Sequence, residues 1–122
     1  MHELSIATAV VNTAVKHADG RPVSVVNMRV GRLRQVVGHS LRFYFEIVAR
    51  DTVCENARLD LVEIEARACC AECDTVWELD DPIFRCPACG STEVSIMAGE
   101  ELEVDYIEVQ TEQEEAACTA PR

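Results

Sequence analysis

The feature that most constrains this chain is a pair of CxxC sequences, Cys70-Ala-Glu-Cys73 and Cys86-Pro-Ala-Cys89, separated by twelve residues. Two residues between cysteines allow one tight turn to direct both sulfur atoms at a common centre. Two such turns, brought together by a hairpin, supply the closed set of four thiolates that a structural zinc ion prefers. Gly90 follows the second pair directly, where a turn often requires a positive φ. The spacing therefore predicts a structural zinc site at Cys70, Cys73, Cys86 and Cys89.

Other roles for the cysteines compete with this prediction. CxxC also serves in thiol exchange, and a tetrahedral sulfur site accepts iron as well as zinc. Cys69 adjoins Cys70, so a first pair made of Cys69 and Cys73 is an alternative, although two matching CxxC arms favour Cys70. Cys54 is predicted to be a small buried residue beside a helix, and Cys118 to have no specific role.

The start of the chain and its charge balance indicate the cellular compartment and the kinds of partner to expect. The first twenty residues have no basic segment followed by an apolar run and a cleavage pattern, and no apolar run is long enough to span a bilayer. We therefore expect a cytoplasmic protein, in which clustered cysteines are more often metal ligands than disulfides. The net charge is −11, with three Lys/Arg against sixteen Asp/Glu in residues 62–122, which argues against a nucleic-acid partner.

The hydrophobic pattern predicts two helices and three longer strands. Helical spacing covers residues 3–18 and 40–52, and strand alternation covers 23–30, 57–66 and 101–109. Within each of the last two strands the apolar alternation slips by one residue. Either a β-bulge or apolar side chains left exposed near an interface would explain the slip.

Residues 67–99 interrupt this pattern with the cysteine-rich segment, in which Val94 and Ile96 indicate one short strand. We therefore predict a zinc-ribbon domain at 67–99 inserted into an α/β domain made of 1–66 and 100–110. The acidic, non-periodic residues 111–122 are predicted to form a disordered tail.

His2 is an unusual position for an imidazole. Its ring nitrogen and backbone amide nitrogen, together with the terminal amine and the Glu3 carboxylate or amide, form a set of donors suited to Ni(II) or Cu(II). By itself this pattern is weak, because many chains begin with a chance histidine. His17 and His39 have no partner at ligand spacing. Phosphate-binding loops, HExxH and GxSxG are absent from the sequence, so we do not expect an enzyme.

Taken together, the opening "MHELSIA", the "CPACGS" ribbon and the closing "ELEVDYIEV" resemble the HypA/HybF family of nickel metallochaperones. The resemblance covers residues 1–110 and implies an α+β fold, with two helices on a three-stranded sheet and a zinc ribbon inserted between the last two strands. It places the nickel ligand on His2, with Glu3 and adjoining backbone nitrogens as supplementary donors. It also places the zinc ligands on Cys70, Cys73, Cys86 and Cys89.

The resemblance further implies delivery of Ni(II), as transported cargo, to the large subunit of NiFe-hydrogenase with the GTPase HypB as partner, or a urease-directed role. Zn(II) would be structural, and we expect a monomer or weak dimer with no membrane partner. Two other functions are alternatives: a zinc-ribbon interaction adaptor without nickel transfer, and a thiol redox sensor. The basic side chains in or beside the first strand and second helix are predicted to form a solvated face or a docking surface: Arg29, Arg32, Arg34 and Arg42.

Overall fold

A computed structural model describes residues 2–80 and 83–110, which form an α+β fold of two helices and two three-stranded sheets. In chain order the elements are α1 (Glu3–Ala18), β1 (Val23–Gly31), a 3-10 turn (Arg32–Arg34), α2 (Gly38–Ala49), β2 (Arg58–Ile64), β3 (Ala66–Cys70), β4 (Val76–Leu79), β5 (Val94–Ala98) and β6 (Leu102–Val109). The predicted helices and the three-stranded sheet are confirmed. The predicted tail at 111–122 lies outside the described residues.

In the first sheet β1 lies at the centre, parallel to β2 and antiparallel to β6. Both helices cover one face of this sheet. The small residues Ala7, Ala14 and Ala18 of α1 are almost fully buried, which lets the helix approach its neighbours closely. Leu41 and Phe45 of α2 complete the core, and each such side chain stabilises the fold by about 2 kcal/mol when removed from water.

The slipped alternation has a different cause in each of the two strands. In β6 the pairing with β1 jumps from Asn27–Tyr106 to Met28–Val104, so Asp105 is an extra, bulged residue. Asp105 and Tyr106 are both exposed, after which inward alternation resumes. β2 pairs with β1 without a shift, and Val62 is simply 44% exposed on the outer face. One predicted bulge is therefore present, and the other slip leaves an apolar side chain in solvent.

The chain segment predicted as one strand over 57–66 is two strands in different sheets. β2 ends at Ile64, and after Glu65 the chain enters β3, the central strand of the antiparallel sheet β4-β3-β5. Ala66 already belongs to the second sheet's own small core, with Ala68 and Leu79. The division into a nickel-binding domain and a zinc-ribbon domain at the predicted boundaries stays a prediction.

The two sheets meet at a close backbone contact. A Cβ placed on Gly31 would lie 2.1 Å from the carbonyl carbon of Gly99, so only glycine fits at this point. The Leu33 N–H donates to the Gly99 carbonyl oxygen (2.8 Å), and the Leu33 side chain packs against the core of the second sheet. An ion pair between Arg32 and Glu65 (3.0 Å) lies beside this contact. The 3-10 turn thus fixes the second sheet to the end of β1.

In the part of the chain that the structure describes, none of the helices has the length and apolar character needed to cross a membrane.

Candidate metal centres

Four sulfur atoms lie together at one end of the second sheet. The ligand atoms of Cys70, Cys73, Cys86 and Cys89 are all within 4.8 Å of one another. Two of the pairs are closer still, with Cys70 Sγ 3.6 Å from Cys89 Sγ and Cys73 Sγ 3.5 Å from Cys86 Sγ. The first cysteine of each CxxC pair is buried and the second is exposed. The two arms therefore meet across the cluster, as a zinc ribbon requires.

The two CxxC turns share the same backbone geometry. Asp74 and Gly90, each directly after its pair, adopt left-handed conformations with φ of 60° and 75°. The Asp74 N–H donates to the carbonyl of the first cysteine of its pair (3.0 Å), and the Gly90 N–H does the same (2.9 Å). The expectation of a positive φ at Gly90 is confirmed.

Backbone N–H groups also point at the sulfurs of this cluster. The Glu72 N–H donates to Cys70 Sγ and the Ala88 N–H donates to Cys86 Sγ, both at 3.4 Å. Such donors stabilise thiolate charge without a basic side chain. Four sulfurs bound 2.3 Å from one tetrahedral ion lie about 3.8 Å apart, close to the shortest separations here. The donor set and spacing fit Zn(II), which would lock the two turns together when bound.

The metal-free thiols differ strongly in acidity. The Thr75 hydroxyl, 3.1 Å from Cys73 Sγ, is the largest influence that lowers the pKa of Cys73 to about 6. The Ser91 N–H lowers the pKa of Cys89. Hydrogen bonding to the Cys70 thiol, desolvation by the surrounding atoms and hydrogen bonding to the thiols of Cys73 and Cys86 outweigh it and raise that pKa to about 12. Of these two thiols, Cys73 is therefore the more acidic.

Neither of the two other cysteines in the described residues belongs to this cluster. Consecutive residues of a strand point to opposite faces, so Cys69 faces away from the sulfurs that Cys70 joins. The structure therefore brings together the Cys70 set and not the alternative with Cys69. Cys54 is fully buried in the main core, where burial raises the pKa of its thiol. Cys118 lies outside the described residues.

The N-terminal candidate is built on the first turn of α1. His2 is exposed and precedes the helix, and the carboxylate of Glu3 reaches across to the start of α2. Glu3 Oε2 accepts a hydrogen bond from the Val37 N–H (3.1 Å). That contact, followed by the N–H of Glu3 itself, lowers the pKa of the Glu3 carboxyl.

The backbone nitrogens at this end are free of helical hydrogen bonds. The first bond of α1 runs from the Ile6 N–H to the His2 carbonyl oxygen (3.1 Å), so the N–H groups of His2 and Glu3 have no backbone acceptor within the helix. Apart from the four cysteines, no three His, Cys, Asp or Glu side chains in 2–80 and 83–110 bring ligand atoms within 4.8 Å of one another. An ion at His2 would consequently need backbone donors.

The arginines that were candidates for a docking surface are engaged within the chain. Arg29 pairs with Glu103 (2.9 Å), in addition to the pair between Arg32 and Glu65. Arg34 Nε donates to the Glu100 carbonyl oxygen (2.7 Å). Arg42 Nε donates to the Leu59 carbonyl oxygen (3.2 Å). These contacts support a solvated, internally paired face.

Two residues that take part in the candidate centres, Val37 and Thr75, could not be identified from the sequence. Val37 acts through its backbone N–H, which any residue except proline provides, and its partner is distant in the chain. Thr75 lies two residues after Cys73, a position at which neither CxxC spacing nor hydropathy marks a hydroxyl.

Comparison with known proteins finds relatives over most of the chain. The protein-family model described as hydrogenase/urease nickel incorporation, metallochaperone, hypA matches residues 1–109. The hydrogenase maturation factor HypA of Desulfatibacillum aliphaticivorans is 42% identical over 118 residues, covering 93% of this chain and 91% of that protein. The factor of the same name from Geobacter sulfurreducens is 39% identical over 110 residues, covering 90% and 100%.

A solved structure has the same fold. The solution structure of the Ni metallochaperone HypA from Helicobacter pylori superposes with a TM-score of 0.66 at 24% identity, covering 92% of this chain and all of that one. At this identity the superposition speaks for the fold alone.

Proposed function

The chain belongs to the HypA family of hydrogenase and urease nickel-incorporation metallochaperones, and on that premise we propose that it binds Ni(II) through His2 and delivers it during maturation of NiFe-hydrogenase. The observation that carries the proposal is the exposed imidazole of His2 next to backbone N–H groups that no helical hydrogen bond uses. Nitrogen donors of this kind suit the square-planar or tetragonal geometry of Ni(II).

The start of α1 also supports the required deprotonation. An amide nitrogen binds a metal only after it loses its proton, which leaves a negative charge on the backbone. The positive end of the helix dipole lies at this point and stabilises such a charge. Because His2 and Glu3 donate no helical hydrogen bond, their amides can bind the ion without unwinding the helix.

The chemistry of the two sites suits two metals with different roles, a structural zinc ion and a transported nickel ion. Four thiolates closed around Zn(II) would hold the ribbon in shape and leave no open position for exchange. One imidazole with backbone nitrogens at the end of a helix binds more weakly, and a donor must release its ion. In this scheme the GTPase HypB and the hydrogenase large subunit are the partners, and urease is a further recipient.

Nickel titration of the untagged, zinc-loaded protein tests the proposal. We expect His2→Ala to weaken Ni(II) affinity by at least about tenfold, the loss of one good donor, and to remove the visible absorption band of the bound ion. His17→Ala, which changes an exposed histidine at the other end of the same helix, is the matched control. Equal nickel binding by wild type and His2→Ala would overturn the proposal.

One observation favours a second candidate, the zinc-ribbon adaptor without nickel transfer. Ile83, Phe84 and Met97 expose 65%, 46% and 60% of their surface around the ribbon. Exposed apolar side chains are common at protein contacts. An adaptor would keep its activity when residues are added before Met1, whereas a nickel carrier that uses the terminal amine would lose it.

A further inference from the structure

We infer that the carboxylate of Glu3 positions the nickel site and is not itself a nickel ligand: it fixes the His2 end of α1 to the start of α2 through the Val37 N–H. The inference rests on the proposed function, because it concerns how that nickel site is presented. It assigns to Glu3 a role other than the supplementary donor that its place beside His2 suggests.

The first support is the way the two helices begin. Neither helix has a side-chain cap at its own N-cap residue, His2 for α1 and Val37 for α2. Helix starts leave backbone N–H groups without partners, and a carboxylate is a strong acceptor for them. Glu3 supplies that acceptor to α2 from the first turn of α1, so one side chain joins both starts.

The second support is the position of Val37. Its N–H binds Glu3, while its carbonyl oxygen accepts the hydrogen bond from Leu41 N–H (2.9 Å) that opens α2. Leu41 is fully buried in the main core. Through this residue the otherwise exposed start of α1 is connected to a fixed point in the fold.

The third support is electrostatic. The contact places the N-terminal ends of two helices side by side, and each carries a partial positive charge. A cation such as Ni(II) would be repelled there. The Glu3 carboxylate between the two ends offsets this charge while remaining bound to Val37, so it favours cation binding without contributing a ligand atom.

Four variants separate positioning from ligation. Glu3→Gln keeps an oxygen that can accept the Val37 N–H but is a poor nickel ligand, whereas Glu3→Ala removes the acceptor. Val37→Pro deletes the N–H and leaves Glu3 intact, and the native φ of −86° is close to that of proline. Val37→Ala keeps the N–H and is the matched control for the changed side chain, which is 54% exposed.

We expect Val37→Ala to bind Ni(II) as wild type does. Glu3→Gln should bind within about threefold of wild type, the loss due to the missing carboxylate charge alone. Both should have an unchanged absorption spectrum. Glu3→Ala and Val37→Pro should bind about tenfold more weakly with the same spectrum, because the site is correctly formed for a smaller fraction of the time. A changed spectrum and an equal loss in Glu3→Gln and Glu3→Ala would make Glu3 a ligand and overturn the inference. Wild-type affinity in both Glu3→Ala and Val37→Pro would also overturn it.

Amide hydrogen exchange of Val37 in the nickel-free protein tests the contact independently of nickel. Exchange should accelerate in Glu3→Ala and stay slow in Glu3→Gln. Unchanged exchange in Glu3→Ala would overturn the inference even if His2→Ala abolishes nickel binding. Conversely, faster exchange in Glu3→Ala together with wild-type nickel binding by His2→Ala would remove the proposed function and keep the contact. Zinc content and thermal unfolding confirm that each variant is folded.

Discussion

Gly31 and Gly99 touch backbone to backbone, with the Cβ position of Gly31 only 2.1 Å from the carbonyl oxygen of Gly99. Gly31 itself has an ordinary extended conformation, with φ of −72°. What the position demands is therefore space and not conformational freedom. Because this contact joins the two sheets, a side chain here would separate the ribbon from the end of β1.

We predict that Gly31→Ala destabilises the protein by about 3 kcal/mol, since the clash is with backbone that cannot rotate away. The matched control is Gly20→Ala, where φ is +80° but nothing lies within 4 Å of the added methyl. That change should cost about 1 kcal/mol from backbone strain alone. Denaturant unfolding of both variants measures the difference, and equal losses would contradict the proposed crowding.

Removing one sulfur of the cluster should release the metal. Cys73→Ser or Cys89→Ser is expected to lose bound zinc and to destabilise the ribbon, because metal-binding free energy there contributes to folding free energy. Cys69→Ser is the matched control, since this neighbouring thiol faces away from the cluster. Metal analysis after gel filtration makes the comparison. A full zinc equivalent in the first two variants, or its loss in Cys69→Ser, would refute the ligand set.

The acidity of Cys73 predicts which thiol reacts first once zinc is removed with a chelator. With a pKa of about 6, Cys73 is a thiolate at pH 7, while Cys89 at about 12 is protonated. Iodoacetamide should therefore modify Cys73 well before Cys89, with a rate that falls as pH drops through about 6. Peptide mass mapping over time follows both sites.

Thr75→Val is the control for the cause of this acidity. Loss of the hydroxyl donor should raise the pKa of Cys73 and slow its alkylation at pH 7. The sign for stability follows from the same shift. A thiol pKa lowered from 9.0 to about 6 stabilises the metal-free fold above pH 9, and this contribution disappears as pH falls to about 6. Alkylation of Thr75→Val at the wild-type rate would show that the hydroxyl is not responsible.

The bulge in β6 predicts an asymmetric response to deletions. Without Asp105 the strand alternates regularly, and Val104 and Ile107 keep their inward faces, so the cost should be below about 1 kcal/mol. Without Glu103, in contrast, Leu102 would turn to solvent and the loss should be about 2 kcal/mol. Thermal unfolding compares the two. A larger loss for the Asp105 deletion would mean that the bulge is itself stabilising.

The sequence correctly predicts those helices and strands in which the hydrophobic periodicity continues over the whole element. Helix α1 is observed at Glu3–Ala18 and β1 at Val23–Gly31, each within one residue of expectation. The sequence does not predict the break at Glu65, because no glycine or proline marks it and the alternation of apolar and polar residues continues from Ile64 to Ala68. What ends β2 there is a change of partner: Ala66 packs into a different core. Tertiary packing, not local preference, sets that boundary.

The candidate sites divide in the same way. The spacing of the cysteines alone predicts that the two CxxC arms converge, because each CxxC sequence is sufficient to form its own tight turn. The contact from Glu3 to Val37 was not, since it joins a side chain to a backbone N–H 34 residues away. The residue type at position 37 does not indicate this contact, because every residue except proline has a backbone N–H. Only the packing of α1 beside α2 reveals it.

The order of strands in the first sheet also has a consequence for folding during synthesis. β6 pairs with β1 although the ribbon is synthesised between them, with Val30 opposite Leu102 and Val23 opposite Val109. During translation β2 is available to pair with β1 before β6 is, because β6 follows the cysteine-rich segment in the chain. A ribbon closed by zinc would shorten the flexible loop between β2 and β6. A shorter loop loses less entropy on closure, which favours the pairing of β6 with β1. If zinc closes the ribbon as proposed, zinc starvation would leave the β6-facing edge of β1, "VSVVNMRV", unpaired for longer, and an unpaired strand edge is a template for aggregation.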